Sequence, residues 1–320
     1  MRRRRSESGF SLMELMVATA LMLVVSAIVT SALVQMRASQ RTIANRTAMH
    51  SGIRGATELL QQEVGQAGLV ALPAPATLGA NVVAQPYCDG YNPATNAVTV
   101  PVSSAAGMFA GMALTTLDGD SAETVKVFAV NSATPSITAC FLVAHANGVR
   151  VTPLGGFATG VVPPTGIANG SNGYVLKLYG DINADGNMVY VEYTCDVANR
   201  NLYRNIMSFD AASKPPLTGA HLLLTNVVPN PDGSPCFQYQ TSTITVDATP
   251  FTFVLDVAVT LTVETEQIDP TTNARQKETK ALLNVSPRNV FDAWAYAGMG
   301  YTFRIQSTPV SVTNLLPPPA

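Results

Sequence analysis

The sequence predicts an α+β fold in which one long N-terminal α-helix packs on an enlarged antiparallel β-sheet head. Three observations predict it. Phe10 to Val34 form a 25-residue apolar run whose only charge is Glu14. Proline is absent from Gln35 to Gly68, and apolar residues recur there at Met36, Ile43, Met49, Ile53, Ala56, Leu60, Val64 and Ala67, mostly keeping one helical face. Beyond Leu69 the pattern changes to short runs rich in Val, Thr, Tyr and Phe, separated by turn residues.

Composition sets outer bounds. Charged residues make up 12% of the 320, against about 25% in ordinary soluble domains, and hydrophobic residues 47%. Disorder needs the opposite balance and is excluded. A net charge of −2 lacks the basic footprint of a general nucleic-acid binder, so no nucleic-acid partner is expected.

The first half of the helix reads as a membrane span. Leu15 to Met36 are 22 consecutive uncharged residues, and about 20 apolar residues at 1.5 Å each cross a bilayer core of roughly 30 Å. Arg2 to Arg5 precede the run and place its start in the cytoplasm, with the rest of the chain exported. A cleaved secretory signal has a core of about 7 to 15 apolar residues, shorter than this one. A plain anchor fits the length but leaves Glu14 without a purpose, because a carboxylate inside the apolar run costs about 2.5 to 3.5 kcal/mol. Glu14 would cost little if it sat at the cytoplasmic interface.

Gly9-Phe10-Ser11-Leu12-Met13-Glu14-Leu15 resembles the signature of type IV prepilins, in which a basic leader ends in Gly and Phe-[ST]-Leu-x-Glu follows. The resemblance implies a leader at residues 1–9, cleavage between Gly9 and Phe10 by a membrane-embedded prepilin peptidase, and N-methylation of Phe10. It also implies that Glu14, fifth in the mature chain, forms an assembly salt bridge with the Phe10 amine of a neighbouring subunit. A buried charge is tolerated when paired and costly when not. The leader would carry four of the 19 basic and one of the 21 acidic side chains. The mature chain would then keep 15 and 20, a net of −5.

The helix continues through an amphipathic half, residues 35–68, to a C-terminal cap at Gly68; Pro73 and Pro75 forbid further helix. Phe10 to Ala67 would span about 87 Å. Gly52, Gly55 and Gly65 weaken the second half, by about 1 kcal/mol each relative to Ala, so it needs packing from the head.

The β-rich head is expected at residues 69–300. Strands are expected at 97–102, 124–130, 136–143, 174–179, 188–194, 221–228 and 251–264. Lys280 to Val285 should return as hairpin partner of the last across the polar loop Gln267 to Glu278. Residues 301–320, with three prolines before Ala320, read as a mobile tail. Leu59-Leu60-Gln61-Gln62-Glu63-Val64-Gly65-Gln66-Ala67-Gly68-Leu69 resembles the helix ending of PilW-type minor pilins, with Glu63 where that pattern has Asp and Gly65 where it has Arg.

Two further groups of residues bear on chemistry. Cys88, Cys140, Cys195 and Cys236 lack C-x-x-C spacing, which argues against zinc; export to an oxidising compartment makes disulfides the expectation, with three connectivities open. Asp181, Asn183, Asp185 and Asn187, with Gly186 and Glu192, fit the calcium-loop pattern D-x-[DN]-x-[DN]-G-x5-E. Their flanks read as strands, however, so a plain hairpin turn closed by Asp-Gly competes with a calcium site. No cofactor is required, and calcium is the one candidate. His50, His145 and His221 are dispersed, and Gly155-Gly156 and Gly166 to Gly173 lack a phosphate-loop pattern, so no enzyme activity is expected.

The resemblance to type IV prepilins and PilW-type minor pilins implies a minor pilin of a type IV pilus, part of a tip complex that initiates assembly and presents partners such as a tip adhesin. Expected partners are other minor pilins, the major pilin, the prepilin peptidase and the inner-membrane assembly platform. Localisation would be the bacterial inner membrane with the head in the periplasm, then the pilus tip. Competing readings are a pseudopilin of a type II-like secretion or DNA-uptake system, an adhesive ligand-binding surface module, and a membrane-anchored exported enzyme.

Overall fold

The computed structural model describes residues 9–88, 96–246, 249–270 and 272–318. Most of the expected leader, with its arginine run, lies outside the described residues. Helix α1 (Leu12–Gln66) is a single α-helix of 55 residues. It ends where expected: Gly68 adopts φ +85°, the left-handed cap conformation that favours glycine. The Gly68 amide donates to the Tyr179 carbonyl (2.9 Å), and Asn289 Nδ2 donates to the Gln66 carbonyl (3.0 Å), so one orphan carbonyl of the helix end and the chain just beyond it find partners.

The α1 sequence divides in burial as it does in composition. Its apolar first half is exposed throughout, with an 18-residue window of mean hydropathy 2.4, long and apolar enough to cross a membrane. In the second half Ile53, Ala56, Thr57, Leu60, Glu63 and Val64 are buried, spaced as one helical stripe. Burying Ile53, Leu60 and Val64 contributes about 1.5–3 kcal/mol each, which offsets the helix glycines.

After α1 the chain forms β1 (Ala76–Thr77), β2 (Val98–Pro101), β3 (Ala113–Thr116), β4 (Thr124–Asn131), β5 (Ser136–Ala139) and β6 (Arg150–Pro153). These make an antiparallel sheet in the order β1-β6-β3-β4-β5-β2. Then come β7 (Gly156–Phe157), β8 (Val175–Gly180), β9 (Val189–Asp196), β10 (Asn201–Ser208) and β11 (Leu222–Thr225), the last four forming a second antiparallel sheet in the order β11-β10-β9-β8. A third sheet contains β12 (Val227–Val228), β13 (Phe237–Val246), β14 (Thr249–Glu264) and β15 (Lys277–Val285), with β12, β13 and β15 all pairing to β14. The expected partnership of residues 280–285 with the long strand is therefore present. Helix α2 (Arg288–Gly298), β16 (Ile305–Gln306) and helix α3 (Val310–Leu315) complete the chain.

Three expectations are corrected. The expected strand at 221–228 is two strands, because Asn226 adopts φ +59° and breaks the ladder between β11 and β12. The expected strand at 136–143 ends at Ala139, where the chain turns toward its disulfide. Residues 301–318 are not a free tail. β16 pairs in parallel with β7, and Val312, Leu315 and Leu316 are at most 1% exposed in the main core. That core also holds Met112, Leu114, Val127, Ile137, Phe141, Phe157, Tyr179 and Tyr190, from the first two sheets and the segments between them.

By contacts the chain divides into two compact units. One combines α1 up to Ser51 with the connection Glu264–Lys277; the other is Gly52–Val263 with Glu278–Ala320. Within the first unit Thr42 Oγ1 donates to Asp269 Oδ1 (3.2 Å).

Candidate functional site

Gly9 and Phe10 precede the helix in open surroundings: no heavy atom lies within 4 Å of a Cβ built on Gly9, and Phe10 is 87% exposed. Ser11 is the N-cap of α1, and its carbonyl accepts the first helical bond from the Leu15 amide (3.1 Å). The Glu14 amide donates to Ser11 Oγ (3.2 Å), while Glu14 Oε2 accepts from the Ser11 amide (3.0 Å) and from Ser11 Oγ (3.2 Å). This is a reciprocal capping box, with the carboxylate also favoured by the helix dipole. The residue read as an assembly charge therefore has a second role inside its own subunit. The Ser-x-x-Glu spacing was the signal for it.

Asp181, Asp185 and Glu192 of the expected calcium set are each hydrogen-bonded within the protein. Asp181 is 3% exposed and turns both carboxylate oxygens onto its own loop, accepting from the amides of Asp185 and Gly186 at 3.0 Å each. Asp185 Oδ1 accepts from the Asn187 amide at 2.8 Å. Glu192 sits on β9 opposite Lys177 of β8, and its carboxylate takes hydrogen bonds from Lys214 Nζ (2.5 Å) and Tyr190 Oη (2.8 Å). Among the described residues no group of three or more His, Cys, Asp or Glu side chains could hold a metal ion.

The four cysteines pair as Cys88–Cys140 and Cys195–Cys236, so one of the three open connectivities is realised. The first ties the segment after β1 to the end of β5. The second ties β9 to the start of β13 and so links the second and third sheets.

Two buried polar clusters lay beyond local sequence reasoning. Glu63 of α1 is 3% exposed and meets Arg204 of β10, whose Nε lies 3.1 Å from Oε1; Tyr193 Oη also donates to it. Burial first, then the adjacent Glu63 carboxylate, push the Tyr193 phenol well up, so it stays a proton donor. Elsewhere His145, with a fully buried side chain, has Nδ1 2.6 Å from Asp118 and Nε2 2.8 Å from Glu123. A neutral imidazole has one donor and one acceptor nitrogen, so carboxylates at both call for the imidazolium. Burial pulls this His down, but the hydrogen bonds it donates to Asp118 and Glu123 outweigh it and leave the pKa raised. Phe291 of α2 is exposed, whereas Trp294 donates Nε1–H to Ser242 Oγ (3.1 Å).

Residues 4–30 match the family model for the prokaryotic N-terminal methylation motif. The match spans Gly9, Phe10, Glu14 and the start of the apolar helix, and it supports a type IV pilin-like protein, pilin or pseudopilin. That motif, the apolar α1 and the sheet-rich head support a type IV pilin-like chain and fit membrane anchoring. No curated protein and no solved structure gives a significant match to the chain.

Proposed function

We propose that this chain is a minor pilin of the PilW type, cleaved after Gly9, methylated at Phe10 and built into a complex that initiates pilus assembly. The observation that carries the reading is the register of the methylation motif on the start of α1, with Glu14 fixed one turn into the helix. In assembly the Phe10 amine of a neighbouring subunit replaces Ser11 as the partner of Glu14, which keeps the carboxylate compensated when water leaves. The head of well over 200 residues, stapled by two disulfides, supports a tip role in the periplasm and on the cell surface rather than that of a repeating shaft subunit. Its partners in this reading are the other minor pilins, the major pilin, a tip adhesin, the prepilin peptidase and the assembly platform.

Deleting the gene tests this directly: loss of pili is expected, whereas normal piliation with lost adhesion favours an adhesive module. Gly9→Ala should leave an uncleaved, unassembled membrane protein, and normal assembly of that variant would refute the processing step. A pseudopilin reading predicts lost secretion or DNA uptake with pili intact.

A further inference from the structure

Strand β15 lies at an edge. Among the described residues it pairs with β14 alone. Beside it runs a groove of about 670 Å³, whose other wall is the second half of α1. Gln61, Gln62, Gly65 and Gln66 line the helix side, and Leu282 and Asn284 the strand side. The helix residues recur at three- and four-residue spacing with Glu58, so they form one face. Groove residues 281–286 cover about 20 Å of extended chain.

Three features say what fits there. First, an edge strand carries a row of backbone donors and acceptors that template another strand. The half of β15 outside the groove is guarded by Lys277, Glu278 and Lys280, the kind of charges that block chance pairing. From Ala281 to Val285 the strand has no charge and lines the groove, and the stretch before Asn284, which adopts φ +61°, is extended and unguarded. Second, Gly65 has no packing reason to be glycine: nothing lies within 4 Å of a Cβ built on it, and Ala is the better helix former. A glycine there keeps the helix wall low, as close approach of another backbone requires. Third, the charges are unevenly matched. Glu58 is paired with Arg54 at 2.7 Å, while Arg288 is exposed and enters no ion pair among the described residues.

We propose that the groove between α1 and β15 receives an extended segment of a partner protein, which adds a strand to β15 and sets a carboxylate against Arg288. Main-chain pairing supplies the affinity, and the amide-lined wall and the cation supply selectivity. This deepens the proposed function by naming how the head holds a partner; it rests on that reading only for the partner's setting.

The test uses the full chain in detergent micelles and a phage-displayed library of linear 12-residue peptides. Peptides carrying Asp or Glu should be enriched and should protect the amides of residues 281–285 from hydrogen exchange. Gly65→Trp fills the groove and should weaken their binding at least tenfold, with an unchanged circular-dichroism spectrum. Arg288→Glu, at an exposed position, should switch the selection to Lys- and Arg-containing peptides. Failure to enrich any peptide, equal binding to Gly65→Trp, or binding without protection of residues 281–285 overturns the proposal. Dimerisation in sedimentation that Gly65→Trp abolishes would instead assign the groove to a second copy of this chain. All these readouts are made in vitro, so they fail or succeed independently of the piliation phenotype.

Discussion

Glu63 and Arg204, 141 residues apart in sequence, form a buried ion pair that fastens α1 to β10, with Tyr193 as a third member. Only 3% of the Glu63 side chain is exposed, against 21% for Arg204. Arg204→Met leaves that carboxylate without its cation and should destabilise the head by about 3 kcal/mol. The double variant Glu63→Leu with Arg204→Met removes both charges and should recover most of the loss. Chemical unfolding of the four members of the cycle measures it; a double-variant loss equal to the sum of the two single losses would show that the pair is not coupled.

The His145 cluster sets a pH dependence. The folded pKa of His145 is raised above the ordinary 6.5, so its contribution is fully present below that pH and is lost as pH rises through the folded value. Asp118 is held below its ordinary 3.8, chiefly by the hydrogen bond from His145, so its contribution is present above that pH and is lost as pH falls through the folded value. The unfolding temperature should therefore be higher at pH 6 than at pH 8.5. His145→Gln should flatten the difference. A wild-type profile that rises across this interval contradicts the charged assignment.

Reduction should be costly. The disulfides close separations of 52 and 41 residues, for which chain-entropy arguments give about 4 kcal/mol each. Cys195→Ala with Cys236→Ala should lower the unfolding temperature and loosen the junction of the second and third sheets, read by faster hydrogen exchange in residues 237–246. Unchanged exchange there would mean the staple is redundant.

Calcium addition should leave the unfolding temperature unchanged, because Asp181 already caps its own loop and Glu192 is engaged by Lys214. A ligand that bound the folded state would raise it by mass action. A rise abolished by both Asp181→Ala and Asp185→Ala would establish a calcium site.

What the sequence made legible was local. The helix showed because its apolar period, its lack of proline and the cap at Gly68 all lie within one stretch. The long β14 showed through its alternation, and the β8–β9 hairpin through Asp-Gly between two apolar runs. His145, Asp118 and Glu123 gave no such signal, since they meet only when separate elements assemble. The C-terminal segment was hidden by its prolines. Val312, Leu315 and Leu316 nonetheless fall at i, i+3 and i+4, a short helical face that the three prolines obscured. At the N-terminus Ser11-x-x-Glu14 was legible through its resemblance to a processing signature before it was legible as a cap.

That overlap gives the most direct test. Glutamine serves the third helical position of a capping box as well as glutamate does, so Glu14→Gln keeps the cap and removes only the charge. Ser11→Ala does the reverse. The measurement is incorporation of the full-length protein into sheared pili, with membrane insertion and leader cleavage followed in parallel. If Glu14 pairs with a neighbouring Phe10 amine, Glu14→Gln is inserted and cleaved but lost from pili, while Ser11→Ala is retained. Wild-type incorporation of Glu14→Gln, with loss on Ser11→Ala, would reduce Glu14 to a helix cap and contradict the assembly role.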